Sequence, residues 1–292
     1  MKIIEREHID ENKWNALVDR TPDASFFSHT WYLDATAEQW CALVNEDYSA
    51  GIALPFSKRL GVETLYTPIF VRYVEWLGQK QELESAAKII RERFTNMHIS
   101  MRQKMLGVGY EEYVYQEIGK NTERKIGSQA KRMFKKAEKN GLAIHQSTDY
   151  SSISKVVGAE LKNKFAGIDK NSLLALDKLF AAGQNENVLK AFTIGEEGGI
   201  VCFEKGDRIL YLKGTVTHET KSNGGMYLAL NTAIESALEQ KKTFDFGGSR
   251  SEGVMRFNHN LGGEDVEYYS YKVDKTPFWF KFARRIRGTW KK

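Results

Sequence analysis

The stretch Ile209-Leu210-Tyr211-Leu212-Lys213-Gly214-Thr215-Val216 is apolar and β-prone, and a polar loop carries it to Ser222-Asn223-Gly224-Gly225. From about Met226 to Gln240 the apolar residues recur at helical spacing. Thr243-Phe244-Asp245-Phe246 then reads as a second strand, ending in Gly247-Gly248-Ser249-Arg250, with a short helix toward Phe257. A glycine-bearing loop between a strand and a helix can meet a phosphate, because the first helical N–H groups lack partners and carry the positive dipole end. The same glycines suit an ordinary turn with a helix start, and the local pattern leaves both readings open.

The rest of the chain sets bounds on that unit. Its 292 residues, 41% of them hydrophobic, can bury one large core or two ordinary ones, and the length favours two domains. No run of 18 apolar residues occurs, and Met1-Lys2-Ile3-Ile4-Glu5-Arg6 lacks the apolar core of a secretory signal, so the expected location is the cytoplasm. Cys41 and Cys202 are the only cysteines and lie in apolar surroundings, which points to small buried residues rather than a disulfide framework or a metal site.

The pattern before and after this stretch is mixed α and β. Helices are expected at 10–19, 30–37 and 82–95, the second opened by Ser28-His29-Thr30. Strands are expected at 39–46, 50–57, 63–67, 72–76, 97–103 and 111–117. The second half repeats that order, with a strand at 142–146, helices within 150–165 and 171–182, strands at 188–194, 199–204 and 209–216, and a last strand at 265–273. The fold class is therefore α+β, with domains expected at 1–120 and 121–275 and a tail at 276–292.

The net charge of +5 is unevenly spread. Residues 122–139 hold seven Lys/Arg against two Glu, and residues 275–292 hold seven Lys/Arg and no acid, leaving 29 bases against 36 acids elsewhere. Arg124, Lys125, Lys131, Arg132, Lys135, Lys136 and Lys139 share an expected helix with an apolar stripe of Ile126, Ala130, Met133, Phe134 and Ala137. That face is either simply solvated or a phosphate-binding surface. Aromatic residues for base stacking are not interleaved there, which disfavours a sequence-reading nucleic-acid role and leaves tRNA the less favoured partner. In the tail, Phe278, Phe282, Ile286 and Trp290 recur every four residues beside Lys281, Arg284, Arg285, Arg287 and Lys291. Such a helix either lies on an anionic membrane surface, at the inner face, or docks on the protein's own core.

Taken with Gly253-Val254-Met255-Arg256-Phe257 and Leu261-Gly262-Gly263, the run Thr-Phe-Asp-Phe-Gly-Gly-Ser at 243–249 resembles the FemAB-like branch of the GNAT acyltransferase superfamily. Ala24-Ser25-Phe26-Phe27-Ser28-His29-Thr30-Trp31 resembles the opening helix motif of that family, and Lys135-Lys136-Ala137-Glu138-Lys139-Asn140-Gly141-Leu142 resembles its basic "Arg-Lys-Ala-Glu-Lys-x-Gly" segment. The resemblance implies two tandem GNAT-like domains, each a mixed, mainly antiparallel sheet flanked by helices. It also implies acyl transfer to an amine, with no metal. The donor would be acetyl-CoA or another acyl-CoA, or alternatively aminoacyl-tRNA.

On that basis Val216, Lys221, Ser222, Asn223, Gly224 and Gly225 are candidate donor contacts, and Tyr211, Ser249, Arg250, Arg256 and Phe257 candidate substrate contacts. Asp245, at the end of a strand, either deprotonates an amine or closes the Gly247-Gly248 turn through backbone N–H groups. His218 and His259 are further base candidates, and Lys213 shares the strand with Tyr211. Three features depart from family patterns. Lys221-Ser222-Asn223-Gly224-Gly225 lacks the spacing of the Gln/Arg-x-x-Gly-x-Gly/Ala loop. Residues 247–263 contain no tyrosine to protonate a leaving thiolate. Phe257-Asn258 stands where the aminoacyl-tRNA-using Fem enzymes have Phe-Lys, so Asn258 offers a neutral hydrogen bond where they offer a charged one.

Three function classes follow. One is an N-acyltransferase using an acyl-CoA-type donor on an amino group of a small or lipid-linked envelope or polysaccharide precursor. Another is a Fem-type peptidyl transferase drawing on aminoacyl-tRNA for peptidoglycan cross-bridges. The last is a binding protein that keeps the fold without catalysis.

Overall fold

The computed structural model describes residues 1–105, 107–164, 170–248 and 250–280. In chain order the elements are β1 (Lys2–Glu5), α1 (Glu11–Arg20), α2 (Thr30–Thr36), β2 (Gln39–Val44), β3 (Gly51–Arg59), β4 (Val62–Tyr66), α3 (Leu83–Arg93), β5 (Asn96–Met101) and β6 (Tyr110–Ile118). Then come α4 (Ser128–Lys139), β7 (His145–Ser147), α5 (Ser151–Lys164), α6 (Lys170–Asn185), β8 (Leu189–Thr193), β9 (Gly198–Lys205) and β10 (Arg208–Val216). The last are α7 (His218–Ser222), α8 (Gly225–Glu239), β11 (Thr243–Asp245), α9 (Glu252–Asn260) and β12 (Glu264–Asp274). Two compact units result: Met1–Tyr113 with the segment from Tyr268, and Val114–Glu267. The chain changes unit within β6 and again within β12. Most of β12 pairs with β5, Tyr269 opposite Met101 and Asp274 opposite Asn96, so this last strand returns to the first unit.

In the first unit the strand order is β1-β2-β3-β4-β5-β12, antiparallel except for β4 beside β5. Side chains along β2 alternate between two cores, since successive strand residues face opposite ways. Cys41 and Leu43 join a core with α3, whose Leu83, Ala86, Ala87 and Ile90 fall at helical spacing. Trp40, Ala42 and Val44 join another with Trp14, Leu17 and Val18 of α1. Burial on both faces explains why β2 reads as a nearly continuous apolar run.

The second unit has the order β6-β11-β10-β9-β8-β7, antiparallel except for β10 beside β11. Tyr227, Leu230, Ala233, Ile234 and Ala237 of α8 cover Ile200, Cys202, Ile209 and Phe244, and α5 packs on β9 and β10. Each unit is thus α+β, a mixed and mainly antiparallel sheet flanked by helices, as the sequence indicates. Both cysteines are buried and free, and burial pushes the Cys41 thiol up to about 12.

Several elements differ from expectation. The expected strand at 72–76 forms only one isolated bridge, Val74 to Met101, with a second just beyond it at Leu77. The expected strand at 142–146 moves to β7, because Gly141 (φ 63°) ends α4 and Leu142 N–H bonds the Ala137 carbonyl, so the next residues are spent leaving the helix. The polar loop after β10 contains the helix α7, and β1 pairs with β2 where the sequence suggests no strand.

Candidate functional site

Strand β10 pairs with β11 over only three positions, Arg208 opposite Thr243, Ile209 opposite Phe244 and Leu210 opposite Asp245. The turn after β11 stays close for one more residue. Gly247 (φ 77°) lies so near that a Cβ there would stand 2.3 Å from the Tyr211 carbonyl oxygen, which explains the glycine. Beyond that point β10 continues to Val216, and no described strand pairs with this edge. A bulge between Tyr211 and Lys213 sets Tyr211 opposite Cys202 and Lys213 opposite Val201, which re-aims the edge where the two strands part. An edge that no described strand pairs with, with α7 and the start of α8 beyond its end, can take an extended amide-bearing ligand as an added strand.

The expected donor contacts are spread around this gap. Val216 is buried, while Lys221 and Ser222 are exposed on α7 and Asn223 is half-buried. Lys221 Nζ lies 3.5 Å from Glu160 Oε1 on α5, and the Ser222 carbonyl accepts from Lys136 Nζ at 2.9 Å. Gly224 (φ 96°) and Gly225 are both enclosed. A Cβ on Gly224 would meet the Met133 carbonyl of α4 at 2.4 Å, and one on Gly225 would meet Thr220 Cγ2 at 2.6 Å. These glycines serve the close approach of α4 and α7 to the start of α8. No side chain caps that start, so its N–H groups keep the positive dipole end.

Asp245 holds the strand end together. It is fully buried, its Oδ1 accepts from Gly247 N–H at 2.9 Å, and its Oδ2 accepts from Arg208 Nη1 at 3.3 Å. The same Arg208 nitrogen donates to Glu117 Oε2 at 3.0 Å. These contacts match the turn-closing arrangement that the sequence offers for Asp245 beside the role of a base. Asn258, also buried, donates to Gln116 Oε1 at 3.0 Å, and Gln116 donates to Asp265 Oδ1 at 2.7 Å. That chain of bonds ties α9 to β6.

Phe257, half-buried, packs edge-on against Tyr227 with ring centroids 4.5 Å apart, which ties α9 to the core. Tyr211 is half-buried, donates its hydroxyl to the Gly214 carbonyl at 3.2 Å, and has its phenol pushed up by burial. Lys213 is half-buried, whereas Arg250, Arg256 and His218 are exposed. Ser249 lies outside the described residues. His259 bonds Asp265 Oδ1 at 2.8 Å. Burial opposes ionisation of Asp265, but the Gln116 amide and His259 together hold it below the usual carboxylate range. Of the basic helix, Arg124 lies ahead of α4 and turns inward to donate its Nε to the Leu261 carbonyl at 2.8 Å. Sequence reasoning missed Arg208, Glu117, Gln116 and Glu160, whose partners lie dozens of residues away. A charged Arg208 opening an apolar strand was the available signal.

The corresponding place in the first unit is filled. Its parallel pair is also short, Leu65 opposite Met97 and Tyr66 opposite His98. Beyond it the chain turns and comes back. Val74 N–H donates to the Ser100 carbonyl and Arg102 N–H to the Val74 carbonyl, both at 2.9 Å, while Leu77 and Gly51 exchange two bonds of 2.8 Å. Glu75, buried, locks this insert. Its Oε1 accepts from Ser25 N–H and Oγ at 2.7 Å each and from Ser28 Oγ at 3.1 Å, and its Oε2 accepts from Arg102 Nη1 at 3.1 Å. A groove of about 590 Å³ lies elsewhere in this unit, between Arg6, Asp34, Glu38, Trp40, Lys58, Glu63 and Arg93. Its charges pair with one another, Arg6 with Asp34, Lys58 and Arg93 with Glu63. Among the described residues no group of His, Cys, Asp and Glu is placed to hold a metal ion.

Two short parallel pairs thus stand at matching places in two α+β units. No family model and no curated protein sequence matches the chain. Solved structures do match. FemX aligns with 94% of this chain and 98% of its own at TM-score 0.62 and 12% identity. The C-terminal domain of a putative lysylphosphatidylglycerol synthetase from Agrobacterium fabrum aligns with 91% of this chain and 92% of its own, at TM-score 0.58 and 9% identity. A tandem GNAT protein from the clavulanic acid biosynthesis pathway aligns with 94% of this chain and 99% of its own, at TM-score 0.50 and 9% identity. At these identities the likeness is one of fold.

Proposed function

We propose that this chain is an N-acyltransferase of the GNAT/Fem type. In this reading it moves an acyl group from an acyl-CoA-type donor to an amino group on a small or lipid-linked precursor of the envelope or of a polysaccharide, at the cytoplasmic face. The parting of β10 and β11 carries the reading. The extended amide portion of the donor would add to the β10 edge over residues 212–216, and its phosphates would face the uncapped start of α8. A neutral amine nitrogen then attacks the acyl carbonyl carbon, the carbon–sulfur bond breaks, and the amine proton leaves to a base while the thiolate is protonated. With Asp245 and Asn258 hydrogen-bonded within the fold, His218, exposed at the first turn of α7, is the histidine nearest in sequence to the β10 edge. FemX and the tandem GNAT protein, whose structure is described as without AcCoA, share the fold and support a transferase.

A second reading, transfer from aminoacyl-tRNA, is favoured by one observation. Gly224 and Gly225 are packed rather than open, while Lys131, Arg132, Lys135 and Lys139 stand exposed along α4 with no acidic partner among the described residues. Calorimetry with acetyl-CoA and filter retention of aminoacylated tRNA separate the two. Saturable acetyl-CoA binding with N-acylation of an amino sugar is expected. Tight tRNA retention that collapses with salt, with no acetyl-CoA binding, would favour the second reading. Binding of neither would return the chain to the non-catalytic class.

A further inference from the structure

We infer that Arg132 and Lys136 of α4, together with the hydroxyl of Tyr227, grip the diphosphate of the donor beside the start of α8. The inference rests on the acyl-CoA reading and names side chains which that reading leaves open. Residues 281–292 of the basic aromatic tail lie outside the described residues, whereas the basic face of α4 lies within them. Arg132 and Lys136 are four residues apart on one face of α4, and both are exposed. That face is turned to the start of α8. The Met133 carbonyl between them is the atom that a Cβ on Gly224 would meet at 2.4 Å, and Lys136 Nζ donates to the Ser222 carbonyl at 2.9 Å. An ammonium has three N–H donors, so this bond leaves Lys136 with donors to offer. Tyr227, in the first turn of α8, is only 8% exposed. Phe134 of α4 and Phe257 of α9 hold its ring edge-on, with centroids at 6.4 and 4.5 Å. Its hydroxyl has no hydrogen-bond partner among the described residues, where a buried tyrosine usually finds one. A phenylalanine would pack there as well, so the hydroxyl is left for something outside the fold. Burial pushes the phenol up, which keeps it a donor, and the charge of Arg132 acts on it in the opposite direction, which puts the two groups in one neighbourhood. Neither cation has an acidic partner among the described residues, and like charges four apart on a helix repel. The pair therefore costs the fold stability until an anion lies across it. Two cations, a phenol O–H and the uncapped first N–H groups of α8 suit an anion of high charge with several acceptor oxygens, as a diphosphate is. A carboxylate, with one charge and two oxygens, leaves most of these donors unused.

Two measurements on the full chain test it: calorimetry with inorganic pyrophosphate, and turnover of acetyl-CoA against S-acetylpantetheine, which keeps the thioester and the amides but has no phosphate. Arg132→Gln and Tyr227→Phe should each weaken pyrophosphate binding about tenfold and lower kcat/KM for acetyl-CoA by a similar factor. With S-acetylpantetheine, kcat/KM should stay within about twofold of the parent. Arg132→Gln should melt no earlier than the parent, because it relieves repulsion along α4, so that lost binding is not lost fold. Pyrophosphate bound equally by parent and variants, or not bound by the parent, would overturn the inference whatever the donors do. An equal fall with both donors would overturn it too, since the residues would then act through the fold and not on phosphate. If the parent turns over neither donor while the variants lose pyrophosphate, the acyl-CoA reading fails and the phosphate subsite stands. Retention of tRNA that Arg132→Gln abolishes, with pyrophosphate binding unaltered, would instead assign the cations to a nucleic-acid backbone.

Discussion

The two units repeat one arrangement and finish it differently. In each, a short parallel pair opens partway along its strands. In the first unit the chain returns and fills the space with 74–77, whose bonds to Gly51, Ser100 and Arg102 close the sheet. In the second, β10 runs on for six residues past its last pairing with β11. The difference teaches where a ligand can add. A sheet edge already satisfied by its own backbone has nothing to offer, and an edge that parts without a filler has donors and acceptors to spare.

The largest expected effect comes from removing the lock on the first unit. Glu75→Ala leaves Ser25, Ser28 and Arg102 without their common acceptor in a buried setting, a loss of about 4 kcal/mol by urea unfolding. A loss below about 1 kcal/mol would mean the filler is held by other means. Asp245→Asn in the second unit is expected to cost less, about 2–3 kcal/mol, since Arg208 keeps Glu117. At temperatures where the variant stays folded, kcat should fall less than tenfold. An inactive variant of unchanged stability would make Asp245 the base and erase the assignment of a structural role.

The smallest effect sharpens where the first unit begins to part. Glu63 on β4 is held below the usual carboxylate range first by Arg93 of α3, against the opposing effect of burial, and then by Lys58 of β3. A depressed folded value means that this stabilisation is fully present above the ordinary value of 4.5 and is lost as the pH falls through the lower folded value. Glu63→Gln should therefore melt earlier than the parent at pH 7, by about 1 kcal/mol of stability, and the gap should close on acidification below the ordinary value. A gap independent of pH would contradict the ion pairs.

Much of the fold was legible in the sequence. The period of β10, α8 and β11 follows from apolar spacing, and the short motifs at 24–31, 135–142 and 243–249 carried the resemblance. What the sequence hid has physical causes. Helix α7, His218-Glu219-Thr220-Lys221-Ser222, buries only Thr220 and so shows no apolar stripe. Residues 72–76 have strand composition and an extended path but meet only strand ends, so no ladder forms. Gly224 and Gly225 announced close approaches without saying to what, and the neighbours are the Met133 carbonyl of α4 for Gly224 and Thr220 of α7 for Gly225. The neighbours of Asp245 stayed hidden because Arg208 and Glu117 come to that place from other strands.

Hydrogen exchange with and without saturating acetyl-CoA tests the central claim most directly. The amides of residues 212–216 should slow at least tenfold on adding the donor, while those of 74–77 stay as slow as before. Unchanged exchange along 212–216, or new protection confined to the first unit, would contradict a donor site at the parted strands.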